Sequence, residues 1–288
     1  MGTDKVTLYK EDWYSRTWTT CLEDYIAPKH SCATSSVQVA VQACLELLGT
    51  RTEVVPVIMP VTSAPDTLSA VLRSGAHPLL LDIDEVHLQM DVEQLKDALS
   101  LVAEEDKVPV VLFNRPFGDP IRPELLEMIQ DLPSIMDARL EPHKHLGVDD
   151  LCCTFNIFDL TPVCGGGGFV IHGFSKQVKQ IKQVATGVMG LGGRLPELLA
   201  ERAFTEIKCL DHDVPEPLEW IKVPNARRAA ATLASHNIEA VVSVFPLYKL
   251  EEVKRRYSEE PEYPIAEKVE NSYICVSPEA AYRVNQIL

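Results

Sequence analysis

One long stretch lacks the amine that carbonyl chemistry would need: between Lys144 and Lys176 the sequence contains no lysine. A lysine amine forms imines with aldehydes and then moves protons, so this stretch supplies no such nucleophile. No histidine lies between His145 and His172 to act as a substitute base. Ser35 and Ser36 stand just before an apolar run from Val39 to Leu48. Hydroxyls in that place can cap a helix, or help its orphan N–H groups hold an anion; the cap is the plainer account. The glycines Gly187, Gly190, Gly192 and Gly193 follow a lysine-rich helical pattern, and Gly165 to Gly168 precede a strand. A dinucleotide loop needs strand, glycine turn and helix in that order, so both groups read as turns. His143 and His145 beside Glu141 read as solvated loop residues, not a metal site. There is no G-x-S-x-G elbow, which removes the support for a serine hydrolase.

The elements that would position these residues alternate between short β-branched runs and helical patterns, the signature of a parallel sheet covered by helices. Strands are expected at Val54 to Met59, Pro78 to Asp82, Val108 to Phe113, Ser134 to Asp137, Thr154 to Phe158 and Gly168 to His172. Helices are expected at Asp66 to Ser74, Asp91 to Val102, Pro120 to Gln130 and Lys176 to Thr186. In the last, Lys176, Lys179 and Lys182 form a basic stripe that reads as a solvated face. Asp211 to Pro217 reads as a linker. Beyond it, a helix at Asn225 to Ser235, a strand at Ala240 to Val244 and a helix at Glu251 to Tyr257 suffice for a small α+β lobe.

With 288 residues and 46% hydrophobic content, the chain can bury a sizeable core. Its formal net charge of −15 repels phosphate backbones and anionic lipid, which argues against nucleic acid or a membrane as partner. The eight cysteines contain no C-x-x-C pair and read as reduced core residues. With no signal-like apolar run near Met1, a cytoplasmic location is expected.

Several segments occur together in a recognisable order. They are YIAPKHSCATSSVQ from Tyr25, PVTSAPDTLSAVLRSGAHP from Pro60, LLLDIDEVHLQMDVEQLKDAL from Leu79, SIMDA from Ser134, TFNIFDLTPVCGGGGFV from Thr154 and GLGGRLPE from Gly190. Together they resemble the DegT/StrS-like PLP-dependent sugar aminotransferases, which hold pyridoxal phosphate (PLP) as a Schiff base and aminate nucleotide-linked keto sugars. The resemblance implies an α/β fold of the aspartate-aminotransferase type (PLP fold type I). Its large domain, residues 1–205, would carry a mainly parallel sheet flanked by helices, with a small α+β domain at 206–288. It also implies a homodimer, or a heterodimer with a paralogue, and a nucleotide-sugar ligand.

Carried over residue by residue, the resemblance makes Asp137 the partner of the pyridine nitrogen and puts Ser35, Ser36 and Gln38 at the cofactor phosphate. Asn156 falls where a phosphate-binding serine is expected. Other positions depart from the pattern. Val37 replaces a glycine, Thr62 replaces the aromatic ring that stacks on the cofactor, and Leu140 replaces a glutamine. The Schiff-base lysine falls on Leu160 or Thr161. The expectation is a catalytically degenerate homologue with vestigial cofactor-binding residues, no catalytic residue, no metal and no covalent cofactor. The alternative is an active PLP-dependent transaminase or dehydratase using an unrecognised base, with Lys144 or Lys176 reaching in from a neighbouring loop.

Overall fold

The computed structural model describes residues 17–50, 53–115, 121–138, 152–156, 167–187, 190–209, 219–242, 246–256 and 262–288. The expected linker 211–217 and the residues Leu140, Glu141, His143, Lys144, Leu160 and Thr161 lie outside these.

All six expected strands form: β2 (Pro56–Pro60), β3 (His77–Leu81), β4 (Val110–Arg115), β5 (Ser134–Ala138), β6 (Cys152–Asn156) and β7 (Gly168–His172). A further strand, β1 (Ser31–Thr34), completes a seven-stranded sheet in the order β1-β7-β6-β5-β4-β2-β3. Strands β2 to β6 pair in parallel, while β7 runs antiparallel to both β6 and β1. The sheet is buried on both faces, which is why its strands read as continuous apolar runs. Side chains alternate between two cores: Val110 and Leu112 join one, Val111 and Phe113 the other.

On the Leu112 face pack α2 (Val37–Leu47), α3 (Pro65–Arg73) and α6 (Ser175–Thr186). On the Phe113 face pack α1 (Trp18–Ile26), α4 (Val92–Glu104), α5 (Pro123–Ile129) and α7 (Glu197–Cys209). Asp91 caps α4 by accepting from Gln94 N at 2.9 Å, as its position before the apolar run predicts.

A second sheet holds β8 (Glu219–Lys222), β9 (Val241–Val242) and β10 (Tyr273–Val276), antiparallel in the order β8-β10-β9. Helices α8 (Ala226–Ala234) and α11 (Pro278–Ile287) share its core through Leu233, Ile274, Val276 and Val284. The intervening 3₁₀ turn Leu247–Lys249, α9 (Glu251–Lys254) and α10 (Pro264–Val269) do not join that core. Their Leu247, Val253, Tyr263, Ala266 and Val269 pack with Met59 and Val61 beside the large sheet, and Leu247 N donates to Val61 O at 2.7 Å.

Candidate functional site

The parallel strands bring their C-terminal ends to one edge, where α/β sheets place ligand sites. Asp137, one residue from the end of β5, sits opposite Asn114 of β4 and Thr154 of β6. Its strand partner Ile135 lies in the core under α2 and α3, and period-two alternation puts Asp137 on that same face. The carboxylate is 3% exposed and accepts a hydrogen bond from Thr67 Oγ1 of α3 at 2.9 Å. Thr67 is itself fully buried. A buried carboxyl group is tolerable only with such partners, so Thr67 satisfies and orients Asp137.

Beside this pair, Asn114 Nδ2 donates to Thr62 O at 3.4 Å, which leaves Asn114 Oδ1 to face elsewhere. That oxygen, Thr62 Oγ1 and Ser63 Oγ are buried and have no hydrogen-bond partner. Each such atom costs roughly 1–3 kcal/mol unless something fills it. One signal of this patch is local: the segment TSAPDT, which follows β2, holds three hydroxyls within six residues.

At the neighbouring helix, Ser36 is the N-cap of α2, its Oγ accepting from Val39 N at 3.3 Å. The capping account of this serine is therefore correct. Ser35 is exposed and its N–H donates to Gly193 O at 2.7 Å. Val37 is buried. The first residue of β7 presses on this helix start: a Cβ on Gly168 would stand 2.4 Å from Ser36 O and 2.5 Å from Val37 N. Gln38 Nε2 donates to Ser69 Oγ of α3 at 3.2 Å. One helix, α3, thus touches both Gln38 and Asp137, through Ser69 and Thr67. Asn156 ends β6 and pairs with Gly168, which puts its backbone next to the start of α2.

The glycines after α6 are also tightly fitted. A Cβ on Gly190 would meet Val184 O at 2.2 Å, and one on Gly193 would meet Val39 Cγ1 at 2.2 Å. They let the turn pack against α6 and α2, and they do not form a phosphate loop.

Of the two lysines that flank the gap, Lys144 lies outside the described residues and Lys176 lies away from Asp137. Strand β7 starts at the site edge, opposite Asn156, and ends at His172 opposite Cys152. A strand of that length spans about 13 Å. Lys176 follows His172 in the first turn of α6 and is exposed, so it sits at the far edge of the sheet. Lys182 is engaged with Glu23, Nζ to Oε2 at 2.5 Å, and Glu23 also accepts from Ala33 N of β1.

Residues 8–107 match the model of the DegT/DnrJ/EryC1/StrS aminotransferase family. The resemblance read from the motifs is borne out. A comparison with curated protein sequences finds no match. Among solved structures, a DegT DnrJ EryC1 StrS aminotransferase from Brucella abortus aligns with a TM-score of 0.73 at 16% identity, covering 96% of this chain and 91% of that one. The sugar aminotransferase CalS13 from Micromonospora echinospora gives a TM-score of 0.75 at 14% identity, with 94% and 90% covered. The putative sugar aminotransferase Spr1654 from Streptococcus pneumoniae, in its PLP form, gives 0.75 at 14% identity, also covering 94% and 90%. At these identities the likeness to the DegT-type structures is one of fold, and it spans nearly the whole chain.

Among the described residues around Asp137, none is a lysine. Asp137 offers a buried carboxylate, which suits a protonated ring nitrogen. Thr62 offers no ring face, Ser36 Oγ accepts from Val39 N and keeps its O–H as a donor, and residues 157–167 contain no lysine. The anion-binding end of α2 is narrowed by buried Val37 and by Gly168.

Proposed function

We propose that this chain is a DegT-type aminotransferase homologue that no longer performs lysine-dependent transamination and acts by binding, as a regulatory protein or partner subunit. The observation that carries this reading is topological. The connection from Asn156 to Gly168 contains no lysine, and the next lysine in sequence, Lys176, lies at the opposite sheet edge from Asp137. Imine formation requires the amine within bonding distance on a supported loop, and a displacement of about 13 Å forfeits that advantage.

Asp137, Ser35, Ser36, Gln38 and Asn156 are, on this reading, vestiges of a cofactor site. The likeness to the sugar aminotransferase CalS13 supports a sugar ligand, and a nucleotide-linked sugar is proposed. A homodimer, or a heterodimer with a lysine-bearing paralogue, belongs to the same proposal. So does a cytoplasmic location. Among the described residues, no helix is long and apolar enough to cross a membrane.

Titrating purified protein with pyridoxal phosphate tests the catalytic part. No imine absorption band should develop beyond that of free amines. A saturable band that disappears on replacing a single lysine would refute it. Light scattering tests the assembly part: a dimer mass is expected, and a monomer at high concentration counts against it.

A further inference from the structure

We infer that the cleft between the start of β9 and the first turns of α11 is a binding site for a basic α-amino acid such as lysine or ornithine. The site is built from the small lobe alone and does not depend on what the Asp137 edge binds.

Helix α8 ends at Ala234, and Asn237 then takes a left-handed conformation, φ 57°, that turns the chain towards β9. Strand β9 pairs with β10 at two positions, Val242 with Ile274 and Val241 with Cys275. The same register carried on would set Glu239 opposite Ser277, but among the described residues no pair forms there, and the parted segments leave a cleft of about 550 Å³. That volume suits a small molecule. Its floor is apolar and buried, made by Ile238, Cys275 and Val276. Its rim carries three exposed charged side chains, Glu239, Glu279 and Arg283. Among the described residues none of the three makes an ion pair, although Glu279 and Arg283 stand four apart on one helix. Arg283 Nη2 reaches His236 O at 3.5 Å, which leaves most of the guanidinium donors free.

The charges on the rim select the ligand. A guanidinium holds a carboxylate through paired N–H donors, and each glutamate accepts from an ammonium. One cation and two anions are therefore matched by a molecule with one carboxylate and two cationic groups. A phosphate or nucleotide would face Glu239 and Glu279, and a dicarboxylate would meet one of them with like charge. A neutral amino acid would leave one glutamate unmatched. A basic amino acid pairs all three, and its methylene chain covers the apolar floor as long charged side chains cover apolar surface. The formal net charge of −15 draws such a cation in.

Amide NMR spectra of the isotope-labelled full chain, titrated with L-lysine and L-ornithine, test this. Cadaverine, which lacks the carboxylate, and L-glutamate serve as contrasts. Saturable shifts confined to residues 237–241 and 275–283 are expected, roughly in the millimolar range because the rim is exposed. Arg283→Met should weaken lysine binding about fivefold, the upper value for an exposed ion pair, and leave the weaker binding of cadaverine unchanged. Glu239→Gln and Glu279→Gln should each weaken both ligands by a similar factor. All three side chains lie at the surface, so the variants should melt with the wild type. No saturable shift, equal affinity for lysine and cadaverine, wild-type lysine affinity in Arg283→Met, or shifts spread over the acidic surface would overturn the site.

Discussion

At the scale of single residues, the site turns on how carboxylates are satisfied. Asp137 and Asp82 are both buried, and both take hydrogen bonds from groups distant in sequence. Thr67→Val keeps the shape of the side chain but removes the donor to Asp137. It should destabilise the protein by about 1–3 kcal/mol in denaturant unfolding, since a buried acceptor is left short of a partner. Tyr248 offers a spectroscopic check: burial pushes its hydroxyl up to about 12, and the nearby carboxylates of Glu267, Glu270 and Asp82 add to this. A raised folded pKa means that the neutral form is favoured in the fold, so the associated stability is present below the ordinary tyrosine value of 10.0 and is lost as pH rises towards 12. Alkaline titration should reveal a late tyrosinate that is absent in Tyr248→Phe. The strand-end position of Asp137 was legible in the sequence, because an acidic residue closes the apolar run Ser134 to Met136. Its partner was not, because Thr67 lies 70 residues earlier on another helix and nothing local marks it as a donor.

At the scale of elements, apolar periodicity located what is long and buried and missed what is short. The six predicted strands recur in the structure, and Gly168–His172 does so with the same ends. Strands β1 and β10 were missed since four residues each, SCAT and YICV, carry too little pattern, and β8 was missed because its burial is only partial. The reversed direction of β7 depends on the connection between β6 and β7 being too short for a crossover helix. That reversal fixes the argument about Lys176. It also presses Gly168 against the start of α2, where a side chain has no room. Gly168→Ala should therefore cost about 1–3 kcal/mol through overpacking against backbone, read by thermal or chemical unfolding. Retained wild-type stability would mean that α2 and β7 are not held together as described.

At the scale of the whole molecule, the acidic turn after β3 fastens the C-terminal segment to the large sheet. Asp82 Oδ2 and Oδ1 accept from Ile265 N and Ala266 N at 2.9 Å each, which satisfies the first turn of α10. Three residues on, Glu85 pairs with Lys268 of α10 at 2.6 Å and with Lys222 of β8 at 3.4 Å. The hydrogen bond from Lys268 holds the Glu85 carboxyl below its usual range, with Lys222 adding to the effect. A lowered folded pKa gives a contribution that is present above the ordinary carboxylate value and lost as pH falls through the folded one. Asp82→Ala should raise hydrogen exchange across residues 262–276 at neutral pH. Wild-type protection factors there, corrected for the intrinsic pH dependence of exchange, should fall on acidification through the carboxylate range and in high salt. Glu85→Gln should lose most of that pH response. In the sequence the D-I-D segment was legible only as a family marker, since its bonds join residues 183 and 184 positions apart.

The central proposal is that a fold of transaminase type here lacks the amine that its chemistry needs. Borohydride reduction of the protein saturated with pyridoxal phosphate, followed by peptide mass spectrometry, tests it most directly. The account predicts no site-selective pyridoxyl adduct, only trace labelling spread over exposed lysines such as Lys176 and Lys179. Stoichiometric modification of one lysine, abolished by replacing Asp137, would contradict it.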